Sequence, residues 1–247
     1  NNRFTDNTGY GMHADGGHIQ SMSDTFVGGE YAIFSRSGSV DVSNASITNP
    51  SNGGISARTS DDALAVRNST VAADPSSSVD VPSASWSSNP GDGTGIHMVS
   101  AGDIVLDAVN VSGFNNAGIF VAGPSRAQNA SVQVNDVTIV NTGRLGMYAQ
   151  DAAVSTDSIS VTQLRNMEES VDLAQCESVG TNAAIGLANS TGAINSATIT
   201  DNDGFGILGI YSDFVVNGAT VARNNCAGIT NFGDGTSGTL SVDDSDF

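Results

Sequence analysis

The chain has 247 residues, 38% of them hydrophobic, so it is long enough to bury a sizeable core as one domain or one repeat array. Its 29 glycines, together with few aromatic residues and many Ser, Thr, Asn and Asp residues, favour short strands and turns over long helices. A formal net charge of −18 repels nucleic-acid phosphates and anionic membranes, and no apolar run is long enough to span a bilayer, so we expect neither nucleic acid as a partner nor membrane insertion by this segment.

The predicted elements begin with a strand that holds a small residue followed by Ile or Met. This motif recurs as GMHA, AIFS, GISA, GIHM, GIFV, GMYA, AIGL, GILG and GITN, which start at Gly11, Ala32, Gly54, Gly95, Gly118, Gly146, Ala184, Gly206 and Gly228. Between successive motifs, apolar or small residues stand at positions i, i+2 and i+7, from Ile19 and Phe26 near the start to Leu240 and Phe247 at the end. Alternation at i and i+2 is typical of a strand with one buried face. The sequence therefore predicts two or three short strands joined by tight turns in a unit of about 22 residues.

A unit of this size cannot bury its own apolar positions. Stacking equivalent units closes a continuous core and pairs each strand with its copy in the next unit, which is the arrangement of a parallel β-helix. The leucine-rich repeat has a similar period, but its Leu-x-x-Leu-x-Leu frame is absent from this chain. The predicted fold class is therefore all-β, a parallel β-solenoid.

Through its Gly-Ile turns, its alternating Val and Ile residues and turns such as DNDGFGI and RNNCAGI, nearly the whole chain resembles the right-handed parallel β-helix repeat family. That family includes pectin-degrading enzymes, phage tailspikes and bacterial surface proteins. The resemblance implies a single right-handed β-helix domain over 1–247, with about ten coils of roughly 22 residues, and hardly restricts the function. Phe4 and Phe247 both fall at a closing i+7 position, so we expect a fragment of a longer array with neighbouring domains.

Two segments depart from the repeat. Val79, Val81 and Trp86 match the i, i+2, i+7 pattern too soon after the preceding match, so they form either an extra coil or a loop packed by Trp86. Segment 162–184 is too long for a normal turn, and we expect an irregular insertion there. Cys176, in this insertion, and Cys226 either pair with each other or fill space.

An outward column follows from the inward Ile or Met, because the next residue in a strand points to the opposite face. The column reads His13, Phe34, Ser56, His97, Phe120, Tyr148, Gly186, Leu208 and Thr230. Aromatic faces stack on sugar rings and guanidinium groups pair with carboxylates, so the sequence predicts a ligand-binding surface. Its candidate residues are Arg36, Arg58, His97, Phe120, Arg126 and Tyr148. The alternative is that inserted loops cover the column and form a satellite core, with the arginines only neutralising an acidic surface.

Signs of catalysis are fewer. TSDDALAV places Asp61 and Asp62 beside Arg58 and is similar to the paired aspartates of pectin-hydrolysing β-helix enzymes, in which one carboxylate acts as an acid and another activates water. The family's Asn-Thr-Asp, Gly-His-Gly and Arg-x-Lys motifs are missing. YGMHADGGH resembles the Tyr-Gly-Phe-Asp-Pro-His motif of alginate epimerases without its Asp, which adds His13 to the catalytic candidates. Non-enzymatic function is favoured.

Metal binding has candidates among acidic turn residues. Asp15, Asp201 and Asp203 could donate oxygen ligands to Ca²⁺, although turn formation is the commoner role of such residues. No cofactor is expected, with Ca²⁺ as the one candidate.

Together these features favour an extracellular or cell-surface, adhesin-like or stalk-like β-helix module of bacterial origin that binds a glycan or another cell-surface polymer. One alternative is a polysaccharide-acting enzyme, namely a glycoside hydrolase, lyase or epimerase. The other is a structural spacer with no ligand.

Overall fold

The computed structural model describes residues 1–74, 93–164, 182–233, 238–243 and 245. This part of the chain is all-β, with 25 strands and no helix. In chain order the strands are β1 (Arg3–Thr5), β2 (Tyr10–Ala14), β3 (His18–Met22), β4 (Thr25–Val27), β5 (Tyr31–Ser35), β6 (Ser39–Ser43), β7 (Ser46–Thr48), β8 (Gly53–Arg58), β9 (Leu64–Ala72), β10 (Thr94–Val99), β11 (Asp103–Ser112), β12 (Ala117–Ala122), β13 (Ala130–Asn135), β14 (Val137–Val140), β15 (Leu145–Gln150), β16 (Ala152–Thr156), β17 (Ile159–Thr162), β18 (Ala183–Ala188), β19 (Thr191–Asn195), β20 (Ala197–Asn202), β21 (Phe205–Ile210), β22 (Asp213–Asn217), β23 (Thr220–Asn224), β24 (Ile229–Phe232) and β25 (Leu240–Asp243). A helix long and apolar enough to cross a membrane is accordingly not found among the described residues.

The strands form two sheets in which all strand pairing is parallel. The nine-stranded sheet has the order β2-β5-β8-β10-β12-β15-β18-β21-β24. The 16-stranded sheet combines two series, β3-β6-β9-β11-β13-β16-β19-β22-β25 and β1-β4-β7-β9-β11-β14-β17-β20-β23, which share the long strands β9 and β11. Each strand thus pairs with its copy one repeat away, which confirms the predicted all-β class and the parallel pairing between repeats.

The register of this pairing places the repeated apolar positions in three continuous columns. Ile33 pairs with Ile55, Val40 with Leu64, and so on along each series. The i+7 column begins at Phe4, which pairs with Phe26 and stacks on it with ring centroids 4.8 Å apart. These columns supply most of the main apolar core. The predicted i, i+2, i+7 pattern and its phase with the Gly-Ile motif are therefore confirmed over the described strands.

The residue before each inward Ile or Met is small because there is no space for a larger side chain. A Cβ atom at Gly118 would lie 2.6 Å from Cγ2 of Ile139, and one at Gly206 would lie 2.6 Å from Cγ1 of Val221. Each neighbour is the next i+7 residue along the chain, so the small residue faces the core. The following Ile or Met also faces the core, and two successive residues therefore point inward. The residue before the small one turns to the outer face, as at Phe205, which packs in a cluster separate from the main core.

Turns between the strands repeatedly use left-handed backbone angles. Asn44 and Asp136 lie between the two strand series of the larger sheet with φ of 53° and 50°, and Asn49 and Asn141 follow the second series with φ of 53° and 61°. Asn and Asp tolerate this region better than other non-glycine residues. The high Asn and Asp content of the chain is therefore partly a requirement of its turns.

Both irregular segments fall between strands of successive repeats. The match at Val79, Val81 and Trp86 lies outside the described residues. Because β8 pairs directly with β10 and β9 with β11, no extra strand of the described chain lies between those repeats. Of the predicted insertion at 162–184, Thr162 ends β17 and Ala183 begins β18, while 165–181, including Cys176, lie outside the described residues.

Candidate functional site

The predicted outward column lies on the nine-stranded sheet. His13 pairs with Phe34, Phe34 with Ser56 and Ser56 with His97. The series continues through Phe120, Tyr148, Gly186, Leu208 and Thr230. The side chains of this column are not part of the main apolar core. They therefore lie on the outer face of the sheet, as the alternation in the sequence predicts.

The column is not an open ladder. His13 is exposed and Phe34 is half-buried, but His97 and Phe120 are only 4% and 7% exposed. Phe120 packs with Val99 and Ala122, against the half-buried Tyr148 ring 5.6 Å away. The predicted ligand-binding column is therefore not accessible at His97 and Phe120, where apolar packing encloses the rings as in the alternative of a satellite core.

An aromatic cluster is accessible at the N-terminal end of the same face. The Tyr10 and Phe34 rings stack with centroids 4.7 Å apart and planes 16° from parallel, and His13 lies 5.0 Å from Tyr10. Tyr31 joins the cluster at 5.5 Å from Phe34, but it is buried, so the accessible members are Tyr10, His13 and, in part, Phe34. Tyr10 is 36% exposed, so its ring is partly presented to solvent. We call Tyr10, His13, Tyr31 and Phe34 the aromatic platform.

Sequence alternation alone places Tyr10 and Tyr31 on the wrong face. Each stands two residues before an inward Met or Ile, a spacing that predicts an inward side chain. The small residues Gly11 and Ala32 break the alternation, which turns both tyrosines outward. The signal that could have found them is the bulky residue directly before each small residue.

A cleft of about 600 Å³ opens beside the platform, at the C-terminal ends of five strands of the nine-stranded sheet. Arg58, Val99 and Gln150 end β8, β10 and β15, and Arg36 directly follows β5. The lining includes Arg36, Arg58, Thr59, Ser60, Val99, Phe120, Pro124 and Gln150. The cleft therefore joins two predicted arginines to one predicted aromatic residue.

Arg36 and Arg58 lie side by side. Ser35 pairs with Ala57, so the next residues, Arg36 and Arg58, follow neighbouring strands whose backbones are about 4.8 Å apart. The guanidinium carbon of Arg36 lies 5.8 Å from the centre of the Phe34 ring, which is a cation–π distance. Within the described residues neither guanidinium forms an ion pair, whereas Arg67 pairs with Asp41. Two adjacent uncompensated positive charges favour the binding of an anion.

His97 is buried and packs against the cleft residue Phe120, with ring centroids 5.2 Å apart, so it is not presented at the surface. Its Nδ1 atom lies 3.2 Å from the Ser56 hydroxyl, and its Nε2 atom has no hydrogen-bond partner among the described residues. Burial, and then the positive charge of Arg58, lower the pKa of His97 to about 4. The imidazole is therefore neutral at pH 7.

Tyr148, whose ring packs against Phe120, keeps its hydroxyl proton. Burial, and then the negative charge of Asp151, raise the pKa of Tyr148 above its usual value. Asp151 itself is buried, and its Oδ1 atom has no hydrogen-bond partner in the described part of the chain.

The catalytic candidates are divided between two places. Asp61 and Asp62 are exposed and accept hydrogen bonds of 2.7 Å from Ser60 and 2.8 Å from Thr59, which both line the cleft. His13 belongs to the aromatic platform instead. No hydrogen bond or ion pair within the described residues joins either aspartate to Arg58 or His13.

Arg126 and the metal candidates lie elsewhere. Arg126 is exposed in the loop between β12 and β13, beside cleft residues but not in the cleft lining. Arg223 donates a hydrogen bond of 2.7 Å to Asp201, and Asn225 donates one of 2.6 Å to Asp203. Asp15 is exposed. The described residues contain no group of three or more His, Cys, Asp and Glu side chains that could hold a metal ion.

Cys226 is disulfide-bonded. The chain has one other cysteine, Cys176, which lies outside the described residues.

Comparison of the chain with protein-family models, with curated proteins and with solved structures found no match. The family resemblance seen in the sequence therefore stays a prediction, and the site has to be judged by its own geometry.

Proposed function

We propose that the chain is a right-handed parallel β-helix module of an extracellular or cell-surface protein and that it binds an acidic glycan on the outer face of its nine-stranded sheet. Three parallel strand series with one strand per repeat in each support the β-helix. A disulfide at Cys226 and the high negative charge support an oxidising, extracellular setting. The adhesin-like or stalk-like role and the bacterial origin remain part of the same proposal.

The observation that supports acidic glycan best is the Arg36–Arg58 pair. A protein with 26 acidic and 8 basic residues has ample carboxylates to neutralise its arginines, yet these two line a cleft without an ion-pair partner in the described chain. Carboxylate and sulfate groups on sugars accept paired hydrogen bonds from guanidinium groups. The arginines therefore favour an anionic ligand.

The aromatic platform supports a sugar as the carrier of that anion. Phe34 contacts both Tyr10 and the guanidinium group of Arg36, so the platform is continuous with the cleft. Apolar ring faces suit the C–H faces of sugars, and the neighbouring guanidinium groups suit carboxylates. A polymer chain could occupy the platform and the cleft together.

Binding of purified protein to polygalacturonate and alginate, with neutral dextran as the reference polymer, tests the proposal. We expect Arg36→Gln and Arg58→Gln each to weaken binding to acidic polymers by about tenfold, the effect of losing a charge-assisted hydrogen bond worth roughly 1.5 kcal/mol. Arg3→Gln, which removes an equal charge outside the site, is the matched control. Absence of binding to every polymer, or equal losses in all three variants, would contradict the proposal.

A polysaccharide-acting enzyme is the second candidate. Asp61 and Asp62 are held by Ser60 and Thr59, so two carboxylates stand at the rim of the cleft. Paired carboxylates are the usual catalytic groups of glycoside hydrolases. Release of reducing ends from an acidic polymer would favour this candidate over simple binding.

A further inference from the structure

The second strand series of the larger sheet presents an outward surface different from the rest of the molecule. In β4, β7, β14, β17, β20, β23 and the C-terminal parts of β9 and β11, a buried i+7 residue is flanked by two accessible residues. The residue before it is Thr25, Thr70, Thr138, Thr198 or Thr220 in five strands, and Ser or Asn in the others. The residue after it is Thr48, Thr162 or Thr200 in three strands, and Val, Ala or Ser in the others. We call these two columns the threonine face.

Backbone pairing arranges the threonine face as a regular lattice. Thr70 pairs with Ser46 on one side and Asn110 on the other, and Thr198 pairs with Ser160 and Thr220. The register does not slip between any two neighbouring strands of the face. Rows of the lattice are therefore about 4.8 Å apart, and the two columns are about 7 Å apart because their members stand two residues apart on each strand.

Neither column of the threonine face holds a charged side chain from β4 to β23, although 14% of the chain is charged. The first column continues into β1 at Arg3, which pairs with Thr25 and is charged. Outward positions of the other series of the same sheet do contain charge, at Asp41, Arg67, Asp103, Asp107 and Asp213. Charge is therefore missing from both columns over eight consecutive strands of a very acidic protein. An ionic ligand finds no counter-charge there, and a sugar finds no aromatic ring to stack on.

The threonine hydroxyl groups of the first column are available to solvent, whereas in the second column Thr48 donates a hydrogen bond of 3.3 Å to the Phe26 carbonyl oxygen and Thr200 donates one to the Asp201 side chain. Thr70, Thr198 and Thr220 are exposed, and their hydroxyl groups form no hydrogen bond within the described residues. Each hydroxyl group can donate one hydrogen bond and accept two, and each methyl group offers a small apolar knob beside it. Repeated at a fixed spacing along the paired strands, these groups can hold water molecules in fixed positions.

We propose that the threonine face binds ice. Its row and column spacings are close to the repeat distances between water molecules on the prism face of hexagonal ice, so ordered hydroxyl groups and the waters between them can join the crystal lattice. A neutral crystal of water also matches the missing charge and the missing aromatic rings. Binding is expected to be strengthened by the length of the face, because eight rows extend over about 34 Å and contact the crystal together.

Partition of the purified protein into a slowly growing ice crystal, together with microscopy of crystal shape near the melting point, tests the inference. We expect the wild-type protein to enter the ice and to shape the crystals. Thr138→Tyr, at the centre of the face, is expected to lower the fraction in ice by at least about twofold because a large ring lifts the lattice from the crystal. Thr138→Ser keeps the hydroxyl group and is expected to retain most of the binding.

Gln133→Tyr is the matched control, since Gln133 is an exposed outward residue of β13 on the other series of the same sheet. It is expected to partition like the wild-type protein, and unfolding curves check that each variant is folded. Exclusion of the wild-type protein from ice overturns the inference, as does an equal loss in Gln133→Tyr. Two further measurements complete the test: sedimentation with crystalline cellulose, and light scattering of the protein alone. If the protein does not bind ice but binds cellulose or associates with itself, and Thr138→Tyr abolishes that binding, the face belongs to that other partner and the inference is overturned.

Discussion

Gly118 faces the side chain of Ile139 inside the core, and a Cβ atom at residue 118 would lie 2.6 Å from Cγ2 of Ile139 and 2.8 Å from the carbonyl oxygen of Gly146. The glycine is therefore required by space, because two neighbouring strands and an i+7 side chain meet at this point. Its φ angle lies outside the left-handed region, so backbone conformation does not require it. The same contact recurs at Gly206 with Val221, which explains why a small residue precedes the inward Ile or Met in every repeat.

Gly118→Ala is expected to destabilise the protein by about 2 kcal/mol, the usual cost of overpacking a core, as measured by urea unfolding. Gly9→Ala is the matched control, because no atom lies within 4 Å of a Cβ at that position. Equal stability of the two variants would show that the core contact does not determine the choice of glycine.

Much of the fold follows from the sequence because the repeat is both regular and steric. The i, i+2, i+7 spacing gives the register of Val40 with Leu64 directly, since residues at the same phase must stack to share one core. The outward column from His13 to Thr230 follows from the same phase. These positions could be predicted without knowing how the turns are built.

The accessibility of the site could not be predicted in the same way. Alternation gives the face to which Phe120 points but not what covers that face, and Phe120 is buried whereas Phe34 is only half-buried. The aromatic platform depends on the two successive inward residues at Gly11 and Met12, which reverse the expected direction of Tyr10. The threonine face, in contrast, can be read from the sequence as Thr, Ser or Asn directly before the i+7 residue of the eight repeats from Phe26 to Val221.

Tyr10 is expected to contribute to glycan binding through its exposed ring. Tyr10→Ala should weaken binding to an acidic polymer by about fivefold, the effect of losing roughly 1 kcal/mol of ring contact, as measured by titration calorimetry. Tyr211→Ala is the matched control, since Tyr211 is 50% exposed and lies outside the platform and the cleft lining. Equal affinities of the two variants would place the ligand away from the platform.

Asp61 and Asp62 separate binding from catalysis. If the module only binds, Asp61→Asn and Asp62→Asn should leave the affinity for an acidic polymer unchanged or slightly higher, because each removes a negative charge near the cleft rim. Affinity is measured beside the release of reducing ends from the same polymer. Measurable release by the wild-type protein that either substitution lowers by about a hundredfold or more would assign the carboxylates to hydrolysis instead.

His97 is expected to make folding stability depend on pH. Its folded-state pKa of about 4 is below the ordinary value of 6.5, so the folded protein binds this proton less readily than the unfolded chain does. The contribution to stability is therefore fully present above pH 6.5, is lost as pH falls from 6.5 to about 4, and does not change further below that. Between pH 7 and pH 4 the loss amounts to about 3 kcal/mol.

His97→Phe tests this dependence, because it keeps a ring against Phe120 and removes the titrating group. Between pH 7 and pH 4 the free energy of unfolding of this variant should fall by about 3 kcal/mol less than that of the wild-type protein. The carboxylates are common to both proteins, so their effects cancel in the comparison. Urea unfolding of both proteins at pH 7 and pH 4 measures this difference, and equal losses would show that the imidazole is protonated without cost in the folded state.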